Sequence, residues 1–121
     1  MAFTSNTATE EALDQPSIDE RLALINRIAG SVHFKRSTRL RGFLLYVGHE
    51  SLKGGRPEIH EQEIGAKVFG RDSSYDRSQD NIVRVNATEL RKRIELYFAT
   101  EGLDEPLILD IPRHESLTVR N

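Results

Sequence analysis

The 121-residue sequence has no cysteine, no tryptophan, only one methionine and no long apolar segment. Without cysteine there is neither a disulfide framework nor a thiolate zinc site. No apolar run approaches the roughly 18 residues that a helix needs to cross a bilayer. The N-terminus MAFTSNTATEEALDQ lacks the basic start and apolar centre of a secretory signal. We therefore expect a cytoplasmic protein that makes no membrane contact within this chain.

The polar residues do not form the patterns that catalysis or cofactor binding requires. None of the four histidines has metal-ligand spacing or a paired nucleophile. The pair Gly54-Gly55 lacks the remainder of a phosphate-binding loop. The sequence therefore predicts that the protein is not an enzyme, and that it binds no cofactor, metal or small-molecule substrate.

Length and composition predict one globular domain with a short leader. Charged residues make up 30% of the chain and hydrophobic residues 37%, as in proteins with a single core and a polar surface. Residues 1–16 are small, polar and acidic, so we expect a disordered leader there. Residues 17–121 are predicted to form the domain.

The net charge of −2 is unevenly distributed. Residues 31–57 carry six bases and one acid, and residues 81–93 carry four bases and one acid. Local patches of this kind steer a polyanion more effectively than the total charge does. The total still argues against a protein that coats nucleic acid indiscriminately.

Residues 78–97, SQDNIVRVNATELRKRIELY, are predicted to form an amphipathic helix. At about 100° per residue, one apolar stripe contains Val83, Ala87, Leu90, Ile94 and Tyr97. The opposite side contains Asn81, Arg84, Thr88, Arg91 and Lys92. Side chains of the second kind suit phosphates and base edges. The pattern predicts a recognition helix.

Three further helices are expected before it. The first follows Ser17, which with Glu20 predicts a capping box, and ends at Gly30, with Ile18, Leu22, Leu24, Ile25 and Ile28 on its apolar face. The second spans residues 37–52 and the third residues 58–70, and residues 31–35 form a connector. A polar segment, RDSSYDRSQD, then leads to an N-cap at Asp80 or Ser78.

After the recognition helix the sequence predicts two short strands. Residues 107–111 and 117–120 have strand-like composition, and a tip that bears Arg113 joins them. The expected fold is therefore mainly α with a small β-hairpin, a winged helix-turn-helix.

A longer pattern of residues supports this fold. It comprises Glu63-Ile64-Gly65, Val68-Phe69-Gly70-Arg71, Tyr75-Asp76, Asp80, Ile82-Val83-Arg84-Val85, Ala87, Leu90-Arg91, Tyr97 and Glu101-Gly102. The chain thereby resembles a bacterial winged-helix-like DNA-binding domain family that is similar in fold to the OmpR-like effector domains of response regulators. Such domains commonly precede a membrane helix and tetratricopeptide-like repeats, so the resemblance implies that this chain could be a truncated piece of a longer protein. The family's wing often has a P-K-G-x-Y-like turn, whose glycine and tyrosine are missing from residues 112–117.

These observations predict a bacterial transcriptional regulator that binds double-stranded DNA. The expected contacts are Arg84, Thr88 and Arg91 in the major groove, Asn81 and Lys92 on phosphates, Arg113 toward the minor groove, and, as weaker candidates, Arg36 and Arg39. A single domain would bind modestly, so specific binding would need a homodimer or tandem sites.

Two competing interpretations stay open. Arg84 could instead pair with Asp76 or Asp80 and Arg91 with Glu95, and Arg93 is expected to form an intramolecular salt bridge. The whole module could also serve protein–protein interaction or oligomerisation without DNA binding, which the net negative charge and the altered wing favour. Acids that interrupt the basic face would support the second interpretation.

Overall fold

The computed structural model describes residues 2–5, 17–53 and 59–111, of which residues 2–5 and 110 are described by their backbone alone. The described chain is mainly helical. Its elements in order are β1 (Ala2–Ser5), α1 (Ile18–Ala29), α2 (Val32–Lys35), α3 (Thr38–Leu52), α4 (Glu61–Phe69), α5 (Ile82–Ala99) and β2 (Leu107–Asp110). Helix α5, the predicted recognition helix, therefore begins four residues later than expected and ends two residues later.

Local sequence determines the ends of α1 and α4. The Ser17 hydroxyl accepts the Glu20 N–H at 3.0 Å, and the Glu20 carboxylate accepts the Ser17 N–H at 3.4 Å. The predicted capping box is thus confirmed, as is the end of α1 at Gly30. Gly70 ends α4 with φ of 67°, a left-handed conformation that glycine adopts without steric cost.

The prediction of a plain connector at residues 31–35 was wrong. This segment contains the short helix α2, whose Phe34 is fully buried. Only Val32 and Phe34 are apolar in this four-residue helix, too few to produce a helical periodicity, so sequence alone gave no signal for it.

The core lies between α1, α3, α4, α5 and β2. The predicted apolar stripe of α5 is confirmed, because Val83, Ala87, Leu90, Ile94 and Tyr97 are all buried. Ile18 differs from the expectation, with 55% of its surface exposed. It occupies the first position of α1, and that helix buries its side chains only from Leu24 onward.

β1 and β2 pair in antiparallel fashion, with Ala2 opposite Asp110 and Ser5 opposite Leu107. The expectation of a disordered leader is therefore wrong for residues 2–5. Their composition did not reveal the strand because pairing with an available strand edge uses backbone groups. Residues 6–16 lie outside the described chain.

β2 corresponds to the first strand of the predicted hairpin. Its described pairing partner is β1, whereas the predicted second strand at residues 117–120 and the tip with Arg113 lie outside the described residues.

Glu105, in the turn before β2, joins α1 to α5. Its carboxylate accepts hydrogen bonds from Arg27 at 2.7 and 2.8 Å and from the Tyr97 hydroxyl at 2.6 Å. The Arg27 guanidinium, assisted by that hydroxyl, lowers the pKa of Glu105 against the opposing effect of burial. Burial, together with the Glu105 carboxylate, raises the pKa of Tyr97 to about 12.

This depressed pKa predicts a specific acid sensitivity. The stabilisation by the Glu105 carboxylate is fully present above the pKa of an unfolded glutamate, about 4.3, and disappears as pH falls through the lower folded value. Wild-type protein is therefore expected to lose more stability between pH 7 and pH 3 than a Glu105→Gln variant does. Urea unfolding followed by circular dichroism measures both losses. Equal losses would contradict a charged Glu105 as the cause.

Candidate nucleic-acid interface

The connector between α4 and α5, residues 70–81, is closed by its own side chains. The Asp72 carboxylate accepts the N–H of Ser74 at 2.9 Å and its hydroxyl at 2.7 Å. Asp76 accepts the same two groups of Ser78 at 2.9 and 2.6 Å. These serine hydrogen bonds lower the pKa of both aspartates. The segment that the sequence marked as polar turns thus consists of two aspartate–serine turns.

The connector is also attached to α4. The Gln62 amide donates to the carbonyl oxygens of Ser73 and Tyr75 at 2.9 and 2.8 Å. The Tyr75 ring packs against Gly65 so closely that a Cβ at Gly65 would lie 2.4 Å from the Tyr75 hydroxyl oxygen. The absence of a Cβ at Gly65 therefore permits the close packing of Tyr75 against α4.

An ion pair joins the start of the connector to its end, next to the first residue of α5. Arg71 Nε donates to the Asp80 carboxylate at 2.6 Å and lowers its pKa. The same carboxylate accepts the Ile82 N–H at 3.2 Å. Asn81 occupies the N-cap position without a capping side-chain bond. The sequence predicted the N-cap at Asp80 or Ser78. In the structure the N-cap is Asn81, and Asp80 still accepts a hydrogen bond from the first residue of the helix.

Arg84, the first predicted base contact, is bound to α4 and the connector. Its guanidinium lies 3.0 Å from a carboxylate oxygen of Glu61 and donates to the Arg77 carbonyl at 2.7 Å. The Glu61 side chain is only 1% exposed. The alternative interpretation of an ion pair for Arg84 is thus right in kind, but the partner is Glu61 rather than Asp76 or Asp80. Because Glu61 precedes Arg84 by 23 residues, helical spacing could not have identified it.

The other arginines of α5 also contact the fold. Arg91 is half-buried and donates to the Ile111 carbonyl at 3.2 Å. Arg93 forms the expected intramolecular salt bridge, with Glu89 at 3.0 Å, and also donates to the His33 carbonyl. The arginines that give α5 its positive charge therefore form contacts within the protein that fix the position of the helix.

The outward face of α5 contains Asn81, Val85, Thr88 and Lys92, all of which are exposed, and in the second half of the helix it is flanked by the exposed Glu95 and Leu96. At about 100° per residue the first four side chains fall within an arc of about 60°. Sequence analysis missed Val85, which is 56% exposed, although the same helical angles place it beside Lys92. The Thr88 hydroxyl donates to the Arg84 carbonyl at 3.1 Å.

The weaker candidates Arg36 and Arg39 are exposed on α2 and α3. The Arg39 guanidinium lies 6.0 Å from the centre of the Phe69 ring and lines an open groove between α3 and α4 with Lys67. Arg39 therefore lies on the groove between α3 and α4 and is not part of α5. Arg113 lies outside the described residues.

Within residues 17–53 and 59–111, no group of three potential metal-ligating side chains comes together. None of the helices in this part of the chain has both the length and the apolar character needed to cross a bilayer. No protein-family model, curated protein or solved structure matches the chain.

Proposed function

We propose that the chain is a winged-helix domain that binds double-stranded DNA as the recognition part of a bacterial transcriptional regulator. In this proposal α4, the connector and α5 form the helix-turn-helix unit, and α5 enters the major groove. The observation that supports this proposal most strongly is the outward face of α5, on which Asn81, Thr88 and Lys92 are exposed. Arg84 holds the helix to α4 through its ion pair with Glu61.

The charge distribution along α5 supports this orientation. Recognition helices contact base edges mainly through their N-terminal residues, and residues 81–88 contain no acid. Glu89 and Glu95 lie on the second half, and Glu89 pairs with Arg93. Two exposed cations, Arg77 before the helix and Lys92 on it, can contact phosphates on either side of the groove.

The proposal changes the roles of several predicted residues. Asn81 and Thr88 contact bases, Lys92 and Arg77 contact phosphates, and Arg84 positions the helix. Arg36 and Arg39 are outside the central contact, and Arg113 keeps its sequence-based assignment toward the minor groove. A homodimer or tandem sites would supply specificity over a longer site.

A pair of lysine variants tests the interface. Lys92→Gln is expected to reduce the slope of log affinity against log salt by about 0.9, the value for one lost phosphate contact. Fluorescence anisotropy with a labelled random duplex between 50 and 300 mM salt measures this slope, with the salt range chosen as roughly that over which phosphate contacts dominate.

Lys67→Gln is the matched control, since it removes the same charge from an exposed position on a different helix, α4, where Lys67 lines the groove with Arg39. Its slope is expected to equal that of the wild type. Wild-type protein without duplex affinity at low salt would refute the proposal, and equal slopes for Lys92→Gln and wild type would remove Lys92 from the interface.

One observation favours the alternative, a module for protein association. Val85 and Leu96 are 56% and 45% exposed and lie three turns apart on the same side of α5. Such an apolar pair could receive a partner helix, with the acids nearby as flanking charges. The same titration separates the two functions, because the alternative predicts no duplex binding. Under the DNA proposal a Leu96→Ser variant keeps its duplex affinity.

A further inference from the structure

We propose that the outward face of α5 selects A·T over G·C base pairs, with Asn81, Val85 and Thr88 as the residues that determine this preference. This inference rests on the proposed function and specifies the class of DNA that it would recognise. It follows from which side chains of α5 are exposed and which form contacts within the protein.

Guanine is recognised most often by an arginine or lysine that donates two hydrogen bonds to its major-groove edge. Arg84 is the single arginine between residues 81 and 88, and its guanidinium is held by Glu61 and by the Arg77 carbonyl. Turning it toward DNA would leave the Glu61 carboxylate, 1% exposed, without its cation. The fold therefore opposes guanine recognition by the first half of α5.

Asn81 has the chemistry that suits adenine. An asparagine amide can accept from N6 and donate to N7 of adenine in the same plane. Asn81 is exposed, and its side chain makes no capping bond to α5. Its amide is therefore available at the end of the helix that approaches the bases first.

Val85 and Thr88 present apolar groups beside Asn81. The thymine C5-methyl is the apolar feature of the major groove, and aliphatic side chains contact it. Val85 lies one turn after Asn81 and leaves 56% of its surface in water. Because the Thr88 hydroxyl donates its hydrogen to the Arg84 carbonyl, it cannot donate to guanine, and its methyl group is available to contact thymine. Seven residues of helix, about 10 Å, match about three base-pair steps.

A double-mutant cycle between protein and DNA tests the inference. Anisotropy titrations use an A·T-rich duplex, the same duplex with every thymine replaced by deoxyuridine, and a G·C-rich duplex of equal length. Deoxyuridine lacks only the C5-methyl. Wild-type protein is expected to bind the thymine duplex most tightly, and removal of the methyls should weaken binding about three- to fivefold for each contacted methyl.

Val85→Ala is expected to lower the ratio of thymine to deoxyuridine affinity by about the three- to fivefold that one methyl contact supplies. Val32→Ala is the matched control, a valine-to-alanine change at a position of α2 that is 67% exposed, and it should keep the wild-type ratio. Equal wild-type affinities for the A·T-rich and G·C-rich duplexes would overturn the A·T preference, and equal affinities for the thymine and deoxyuridine duplexes would overturn the role of Val85 and Thr88; both results leave the proposed function standing. No binding to any of the three duplexes would overturn both the inference and the proposed function.

Discussion

Arg84→Ala is expected to lower the free energy of unfolding by about 2–3 kcal/mol. The substitution leaves the Glu61 carboxylate buried without the guanidinium that neutralises it. Loss of one partner of a fully buried pair costs about 3–5 kcal/mol, and the 39% exposure of the Arg84 side chain reduces that figure. Urea unfolding at pH 7, followed by circular dichroism, measures the change.

Two further variants assign the loss to charge. Glu61→Gln keeps the shape of the side chain and can still accept from Arg84, so its cost should stay below about 1.5 kcal/mol. The double variant Arg84→Ala/Glu61→Gln has no buried charge at this site and should be more stable than Arg84→Ala alone. A double variant that is less stable would refute this explanation. Since Arg84 stabilises the fold, neutralising it together with Arg91 would confound a DNA-binding measurement with unfolding.

Leu90→Ala is expected to cost about 2–5 kcal/mol, a large fraction of the stability of a small domain. Leu90 is fully buried at the centre of the apolar stripe of α5. Truncation removes buried methyl groups and leaves a cavity that the surrounding helices can fill only in part. Thermal and urea unfolding both measure the loss.

The same helix provides the control for Leu90→Ala. Leu96 is 45% exposed, so Leu96→Ala makes the same chemical change with the same effect on helix propensity but little burial to lose. Its effect should remain within about 0.5 kcal/mol. Similar losses for the two variants would contradict the assignment of Leu90 to the core and Leu96 to the surface.

Sequence alone predicted the helices whose apolar residues recur with helical spacing. The buried stripe from Val83 to Tyr97 and the capping box of Ser17 both depend on residues within one helix, and the structure confirms them. Residues 2–5 and Phe34 escaped prediction because their structure depends on distant partners, a strand edge at residues 107–110 in one case and the core in the other.

Sequence alone predicted which side of α5 is exposed, but not which of its charged side chains form contacts within the protein. The helical angles correctly placed Asn81, Thr88 and Lys92 on the outside of α5. They could not show that Arg84 would turn toward Glu61, since only the packing of α4 on α5 brings the two together. Charge counted along the sequence therefore overestimated the cations that α5 presents to a ligand.

The hydrogen-bonded connector has a thermodynamic consequence for any ligand that docks on α5. Ordering the backbone of one residue costs roughly 1–2 kcal/mol in conformational entropy, and a connector that folded only on binding would subtract that cost from the affinity. Here the turns at Asp72 and Asp76 and the bonds from Gln62 already order it in the protein alone. A ligand that docks on α5 would then bind without this ordering cost, and the heat-capacity change of binding would reflect only the surface buried in the contact.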